Sequence, residues 1–305
     1  MYALTEYPCM LRCLEDYSGD AVLVIYTWIE IVMGLSSNVL WHQTKKPGLM
    51  NILKTKKLYF SYCLEDILAS EHLKGIAFPM VSLCDLPLSE FGAGKWAYGN
   101  YALGFSRKWG VEKGFNPVCY CLRDSEFFTN QIDNLGKAFD SGNVDLIEKA
   151  IYPFSYMKFV EGPLLKKRYE NYRFYDEKEI RLVPTIEGIG DYPYFLDDIN
   201  YEKYKNKNNG SSVLGTHGVL FEYTDLKYVI VESEQNRIEV QRFFQRQNVD
   251  FSHIVILTKS QILEDIVGDN HNVELPKIDK PKVNVAQMAL QLGRLWQENK
   301  NKYKQ

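Results

Sequence analysis

His42 and Glu179 are the two residues in this chain whose types and surroundings could do chemistry together. His42 ends an apolar run, Asn38-Val39-Leu40-Trp41, and is followed by the polar Gln43 and Thr44. Glu179 lies far down the chain in Glu179-Ile180-Arg181-Leu182-Val183, a stretch that alternates as a strand does. Enzymes that break the glycosidic bond of NAD often pair these two residue types on facing strands. The histidine holds a ribose, and the glutamate steadies the sugar cation that forms as nicotinamide leaves. Thr44, two residues beyond His42, shares its side of an extended chain and adds a second polar group. Arg181 would orient Glu179 or hold a phosphate. Ser82 and Asp85, with Tyr98 and Tyr101 further on, could complete a polar pocket with aromatic faces.

Each of these residues also has a plainer account. A lone histidine at a strand end commonly hydrogen-bonds a neighbouring carbonyl. Glu179 and Arg181 could share one face of an exposed strand and pair with their neighbours. Gly92-Ala93-Gly94-Lys95-Trp96 resembles a phosphate loop, but Ser89 and Trp96 occupy the places where a Walker loop needs glycine and a hydroxyl. Gly92 and Gly94 therefore read as hinges of a surface loop. There is no G-x-S-x-G, H-E-x-x-H or EF-hand pattern to support a serine hydrolase, zinc protease or calcium site.

The elements that must position these residues are mostly short strands. Residues 38–42, 58–62, 79–85, 101–106 and 118–122 are apolar, rich in β-branched or aromatic types, and bounded by Gly, Pro or Asp. Leu49, Ile52 and Leu53 recur at helical spacing behind Pro47. Residues 124–158 turn helical with a break at Ser141-Gly142-Asn143, and a strand pair follows over 172–183. Residues 202–212 are polar and aperiodic and read as a mobile loop. A strand over 218–222 follows; strands over 226–231 and 253–257, with a helix over 234–246 between them, predict a small parallel annex, and a further helix runs through Ile262 and Ile266. An amphipathic helix over 285–299 closes the chain. Together these predict an α+β fold with peripheral helices around a mainly antiparallel, twisted sheet.

With 305 residues, 46% hydrophobic and 14% aromatic, the chain can build a large core. A net charge of −3 provides no field to draw it onto nucleic acid or an anionic membrane. The six cysteines form no C-x-x-C pair and fit reduced thiols in a cytoplasmic protein rather than a zinc site. Residues 21–35 are apolar but interrupted by Glu30 and too short for a membrane helix. Residues 1–33 read either as an appendage from an upstream start codon or as an extra helix. The predicted division is 1–33, a domain over 34–280, and the closing helix in 281–305.

Several blocks resemble the bacterial AbiGi family in order along residues 35–260. They are Ser36-Ser37-Asn38-Val39-Leu40-Trp41-His42-Gln43-Thr44, Phe78-Pro79-Met80-Val81-Ser82-Leu83-Cys84-Asp85, Tyr98-Gly99-Asn100-Tyr101-Ala102-Leu103-Gly104-Phe105-Ser106, and Tyr175-Asp176-Glu177-Lys178-Glu179-Ile180-Arg181. The resemblance implies the antitoxin side of an abortive-infection phage-resistance system, with a cognate toxin protein as partner. The His…Glu arrangement also looks like the ADP-ribosyltransferase class, with His42 and Glu179 at its first-strand and late-strand positions. That likeness would imply NAD as the cofactor if the chain is an enzyme. The middle member of that pattern stays open among Ser61, Tyr62 and Ser82. Ile180 stands where relatives of this block often carry tryptophan.

Overall fold

The computed structural model describes residues 37–68, 74–93, 96–164, 169–185 and 187–266. The chain opens with β1 (Val39–Thr44), α1 (Lys46–Thr55), β2 (Lys57–Glu65), β3 (Ile76–Cys84), α2 (Leu88–Ala93), β4 (Tyr101–Ser106) and α3 (Arg107–Glu112). Its middle holds β5 (Asn116–Pro117), β6 (Cys119–Cys121), α4 (Glu126–Asp140), α5 (Val144–Ile151), β7 (Met157–Phe159), β8 (Glu161–Leu164), β9 (Tyr169–Arg173) and β10 (Glu179–Leu182). It continues with β11 (Leu196–Asp197), α6 (Asp198–Lys207), β12 (Val213–Leu220), β13 (Leu226–Val231), α7 (Glu234–Arg246), β14 (Val255–Thr258) and α8 (Lys259–Ile266).

The main sheet runs β12-β2-β3-β1-β4-β13-β14, with β10 and β11 also paired to β3 and β5 paired to β10. Its pairs are antiparallel except β13 with β14, which α7 joins as a crossover. The fold is thus α+β, with a parallel annex where the sequence predicts one.

Strand alternation assigns the core. Leu40, Leu103 and Val229 point into a large apolar cluster that also takes Leu49, Ile52 and Leu53 of α1. Their neighbours Trp41, Ala102 and Ile230 point the opposite way, into a second cluster with Phe91 and Ile262. Trp41 is fixed there by stacking on Phe91 at 4.8 Å and by donating its indole N–H to the Leu86 carbonyl at 2.8 Å. Both faces of β1 are therefore covered, which sets the height at which His42 stands.

Three expectations are corrected. Residues 202–207 belong to helix α6, capped by Asp197, whose carboxylate accepts from the Asn200 N–H. α6 buries Tyr201 but carries no apolar stripe, so its sequence holds no helical period to read. Gly92 lies within α2 rather than in a loop. The strands expected as one pair over 172–183 belong to different sheets: β9 pairs β8, whereas β10 pairs β3 and β5. The expected appendage over 1–33 and the closing helix over 285–299 lie outside the described residues.

Candidate functional site

Strand β3 is shared by two arms of the sheet. Residues 76–80 pair with β2, and Cys84 pairs with Trp41 of β1. Between those points β1 and β2 diverge, and a cavity of about 230 Å³ opens over β3. His42 of β1, Ser61 of β2, Ser82 of β3, Tyr98 and Glu179 of β10 all line it. Trp41, Tyr59, Glu65, Asp66, Lys158, Phe174 and Glu177 line it as well.

His42 bridges the fork. Its Nδ1 lies 3.1 Å from the Ser82 carbonyl, which can only accept, so Nδ1 carries the proton. Burial lowers the imidazole's affinity for a second proton, and the Ser82 carbonyl only partly offsets this. The ring is therefore neutral near pH 7, and its Nε2 is an acceptor. Neither that atom nor the Ser61 and Ser82 hydroxyls has a hydrogen-bond partner among the described residues.

Tyr98 arrives from the segment ahead of β4. Its N–H donates to Gln43 Oε1 at 2.9 Å. Gly99 beside it (φ 146°) lies so close to β1 that a Cβ would stand 2.0 Å from the Thr44 carbonyl oxygen, so only glycine lets the segment lie there. The Tyr98 hydroxyl reaches across the cavity to donate to Glu177 Oε1 at 3.0 Å.

The opposite wall is a charge cluster. Arg181, with no exposed side-chain surface, donates from Nε to Glu179 Oε1 (2.7 Å) and from its terminal nitrogens to Glu179 Oε2 (3.0 Å), Glu65 Oε1 (2.7 Å) and the Ser155 carbonyl (2.9 Å). Lys158 Nζ donates to Glu179 Oε2 at 2.8 Å and stands 3.6 Å from Glu177 and 3.8 Å from Glu65. It also lies 4.6 Å from the Phe174 ring centre. Arg123 pairs with Asp66 on the same side.

Burial alone would raise the Glu179 carboxyl, but Arg181 and Lys158 outweigh it and hold the group well below the usual carboxylate range. Burial would lower Lys158; Glu179, Glu65 and Glu177 outweigh that and keep it protonated. Glu177 goes the other way. Burial raises it, Lys158 opposes this, and the Glu179 charge adds to the rise. Glu177 Oε1 accepts from the Tyr98 and Tyr172 hydroxyls. Its Oε2 receives no hydrogen bond among the described residues. The Cys84 thiol on β3 is pushed well up by burial and by Glu177 and Glu179, so it stays protonated and is no ready nucleophile.

Five residues singled out from the sequence thus share one cavity, and Thr44, Tyr62, Asp85, Tyr101 and Arg181 do not line it. Thr44 is not among its lining residues, and its hydroxyl faces Gly48 of α1. Arg181 lies behind Glu179, where it can orient that carboxylate but cannot meet a ligand phosphate. Asp85 pairs with Arg107, and the Tyr101 hydroxyl turns to Glu232 and Asn236. Glu179 is buried rather than on the exposed strand of the plainer account. Glu65, Lys158 and Glu177 were missed. The one sequence signal for Lys158 is a charge inside the apolar stretch Phe154-Ser155-Tyr156-Met157-Lys158-Phe159-Val160. Among the described residues, no group of three or more His, Cys, Asp or Glu is arranged to hold a metal ion.

The family model described as "Putative abortive phage resistance protein AbiGi, antitoxin" matches residues 56–232, more than half of the chain. The chain belongs to the AbiGi family. The match is narrower than the 35–260 expected: it takes in Ser61, Ser82, Tyr98, Lys158, Glu177, Glu179 and Arg181, and leaves His42 and Thr44 outside. A curated AbiGi relative, the abortive phage resistance protein AbiGi of Lactococcus lactis subsp. cremoris, is 28% identical over 200 residues, covering 57% of this chain and 80% of the relative. No solved structure matches. Among the described residues of this AbiGi chain, no helix is long and apolar enough to cross a membrane.

Proposed function

We propose that this AbiGi protein is the restraining member of an abortive-infection pair, a cytoplasmic antitoxin that acts by binding a cognate toxin protein. The observation that carries the reading is the neutralisation of Glu179. Both of its oxygens already hold N–H donors from Arg181 and Lys158, so little of its charge is left to stabilise a sugar cation. A carboxylate in that state holds strands together, as an interaction protein requires, and the family's description as an antitoxin agrees. With a net charge of −3, the partner is expected to be a protein rather than nucleic acid. The test is deletion of this gene alone from its native locus. The reading expects growth to slow or stop without phage, and to recover when the gene is supplied from a plasmid. Unchanged growth of the deletion strain overturns it.

A second reading is an ADP-ribosyltransferase-like enzyme or NAD hydrolase. It is favoured by the meeting of His42, Ser61, Ser82, Tyr98 and Glu179 around one cavity. NAD would then be the cofactor, with His42 on a ribose and Arg181 orienting Glu179. Nicotinamide release by the purified protein separates the two readings.

A further inference from the structure

The cavity carries several hydrogen-bond acceptors beside the donors of Lys158 and Gln43. His42 gives up its N–H to the Ser82 carbonyl, which leaves Nε2 as a lone pair. The hydroxyls of Ser61 and Ser82 can each accept. On the far wall, four carboxylates (Glu65, Asp66, Glu177 and Glu179) face three cations, Lys158, Arg181 and Arg123. Glu65 and Glu179 bond to Arg181, Glu179 also to Lys158, and Asp66 to Arg123. Glu177 is the carboxylate left over. Two tyrosines serve its Oε1, but among the described residues its Oε2 has only the longer ion pair to Lys158 at 3.6 Å, beyond hydrogen-bond reach. With its side chain 9% exposed, Glu177 is a buried carboxylate whose second oxygen has an ion pair but no hydrogen bond among the described residues.

The remaining lining is apolar, with Leu64, Met80, Val81 and Pro163 beside the aromatic Tyr59 and Tyr98, and Tyr98 keeps 38% of its surface exposed. At about 230 Å³ the cavity falls below the roughly 300–1,000 Å³ typical of sites for drug-sized ligands. It has room for one ring system.

We propose that this cavity is a binding site for a small organic cation: a single flat ring bearing a charged N–H donor group that pairs with Glu177 Oε2. The ring lies against Tyr59 and Tyr98, and the remaining N–H groups meet His42 Nε2 and the serine hydroxyls. A phosphate or carboxylate ligand is disfavoured, because Lys158 is already paired with Glu179, His42 Nε2 presents a lone pair, and the carboxylates around the cavity outnumber the cations. The site goes beyond restraint of a toxin and does not depend on that reading.

The experiment is calorimetric titration of the full-length protein at pH 7.5 with three isosteric probes: benzamidine (cation), benzamide (neutral) and benzoate (anion). The expected result is benzamidine binding at least tenfold tighter than benzamide, with no binding of benzoate. In Glu177→Gln, whose amide oxygen still accepts from the tyrosines, benzamidine should fall to the level of benzamide. Thermal melting confirms that this variant is folded, and Ser82→Ala, a milder change at the other wall, should weaken benzamidine several-fold. The proposal is overturned if the folded wild type binds none of the probes, if benzamidine and benzamide bind alike, or if folded Glu177→Gln keeps the cation preference.

Discussion

The two walls of the cavity are built on opposite principles. On the β10 side, Arg181 and Lys158 satisfy both oxygens of Glu179 and one of Glu65, and their atoms hold β2, β7 and β10 together. On the β1–β2 side, His42 spends one nitrogen on the fork in the sheet, and the Ser61 and Ser82 hydroxyls make no hydrogen bond among the described residues. The first wall is committed to the fold. The second is free for a ligand. Glu177 stands between them, hydrogen-bonded at one oxygen and held at the other by the longer ion pair to Lys158.

Substitutions should reveal that division, beginning with the largest effect. Arg181→Met leaves Glu179 and Glu65 buried without their main cation, and loss of one member of such a cluster costs about 3–5 kcal/mol. Denaturant unfolding should show that loss; a value under 1 kcal/mol would mean the cluster is incidental.

Glu179→Gln should cost about 3 kcal/mol at pH 7 by the same argument, because Lys158 and Arg181 are left in excess. Its folded pKa lies below the ordinary carboxylate value of about 4.3, so its contribution is present above that pH and fades as pH falls through the acid range. The gap between wild type and Glu179→Gln should therefore hold down to about pH 4 and narrow only as pH falls further, through the depressed folded value.

Glu177→Gln should behave in the opposite sense. Its folded pKa is raised, so the contribution of the carboxyl is favourable in acid and is lost as pH rises through that folded value. Removing the charge should leave stability at pH 7 unchanged or raise it by up to about 1 kcal/mol, a gain that vanishes toward pH 4. Thermal melts of the two glutamine variants across pH 4–8 make the comparison; parallel curves would erase the distinction drawn between these residues.

The smallest effects belong to the free wall. His42→Ala removes one partly buried hydrogen bond, worth about 1 kcal/mol, and Ser82→Ala should lie within about 0.5 kcal/mol of wild type. A loss of 3 kcal/mol at Ser82 would place that residue in the committed wall instead.

The parts of this design that were legible in the sequence are those with a period. β1, β3, β4 and β13 alternate or run apolar, and α1 and α7 carry apolar residues at helical spacing, so their places could be read. α6 could not, because Tyr201 is buried, Tyr204 half-buried and Ile199 exposed, so its few apolar residues mark no stripe. His42, Ser61, Ser82, Tyr98 and Glu179 were found because each is a chemically suggestive residue at or beside a strand. Lys158, Glu65 and Glu177 were missed for a physical reason: a buried charge has no periodic signature, and its meaning lies in partners such as Arg181, 116 residues from Glu65. The fork in the sheet is also invisible in sequence, since β3 reads as one continuous strand while pairing with β2 at one end and β1 at the other.

The most direct test of this account is nicotinamide release from NAD by the purified wild-type protein, measured beside His42→Ala, the variant expected to stay folded. With Glu179 neutralised by Arg181 and Lys158, release should not rise above the protein-free background for either protein. Release by the wild type that disappears in a folded His42→Ala would contradict the account and make the free wall part of a catalytic centre.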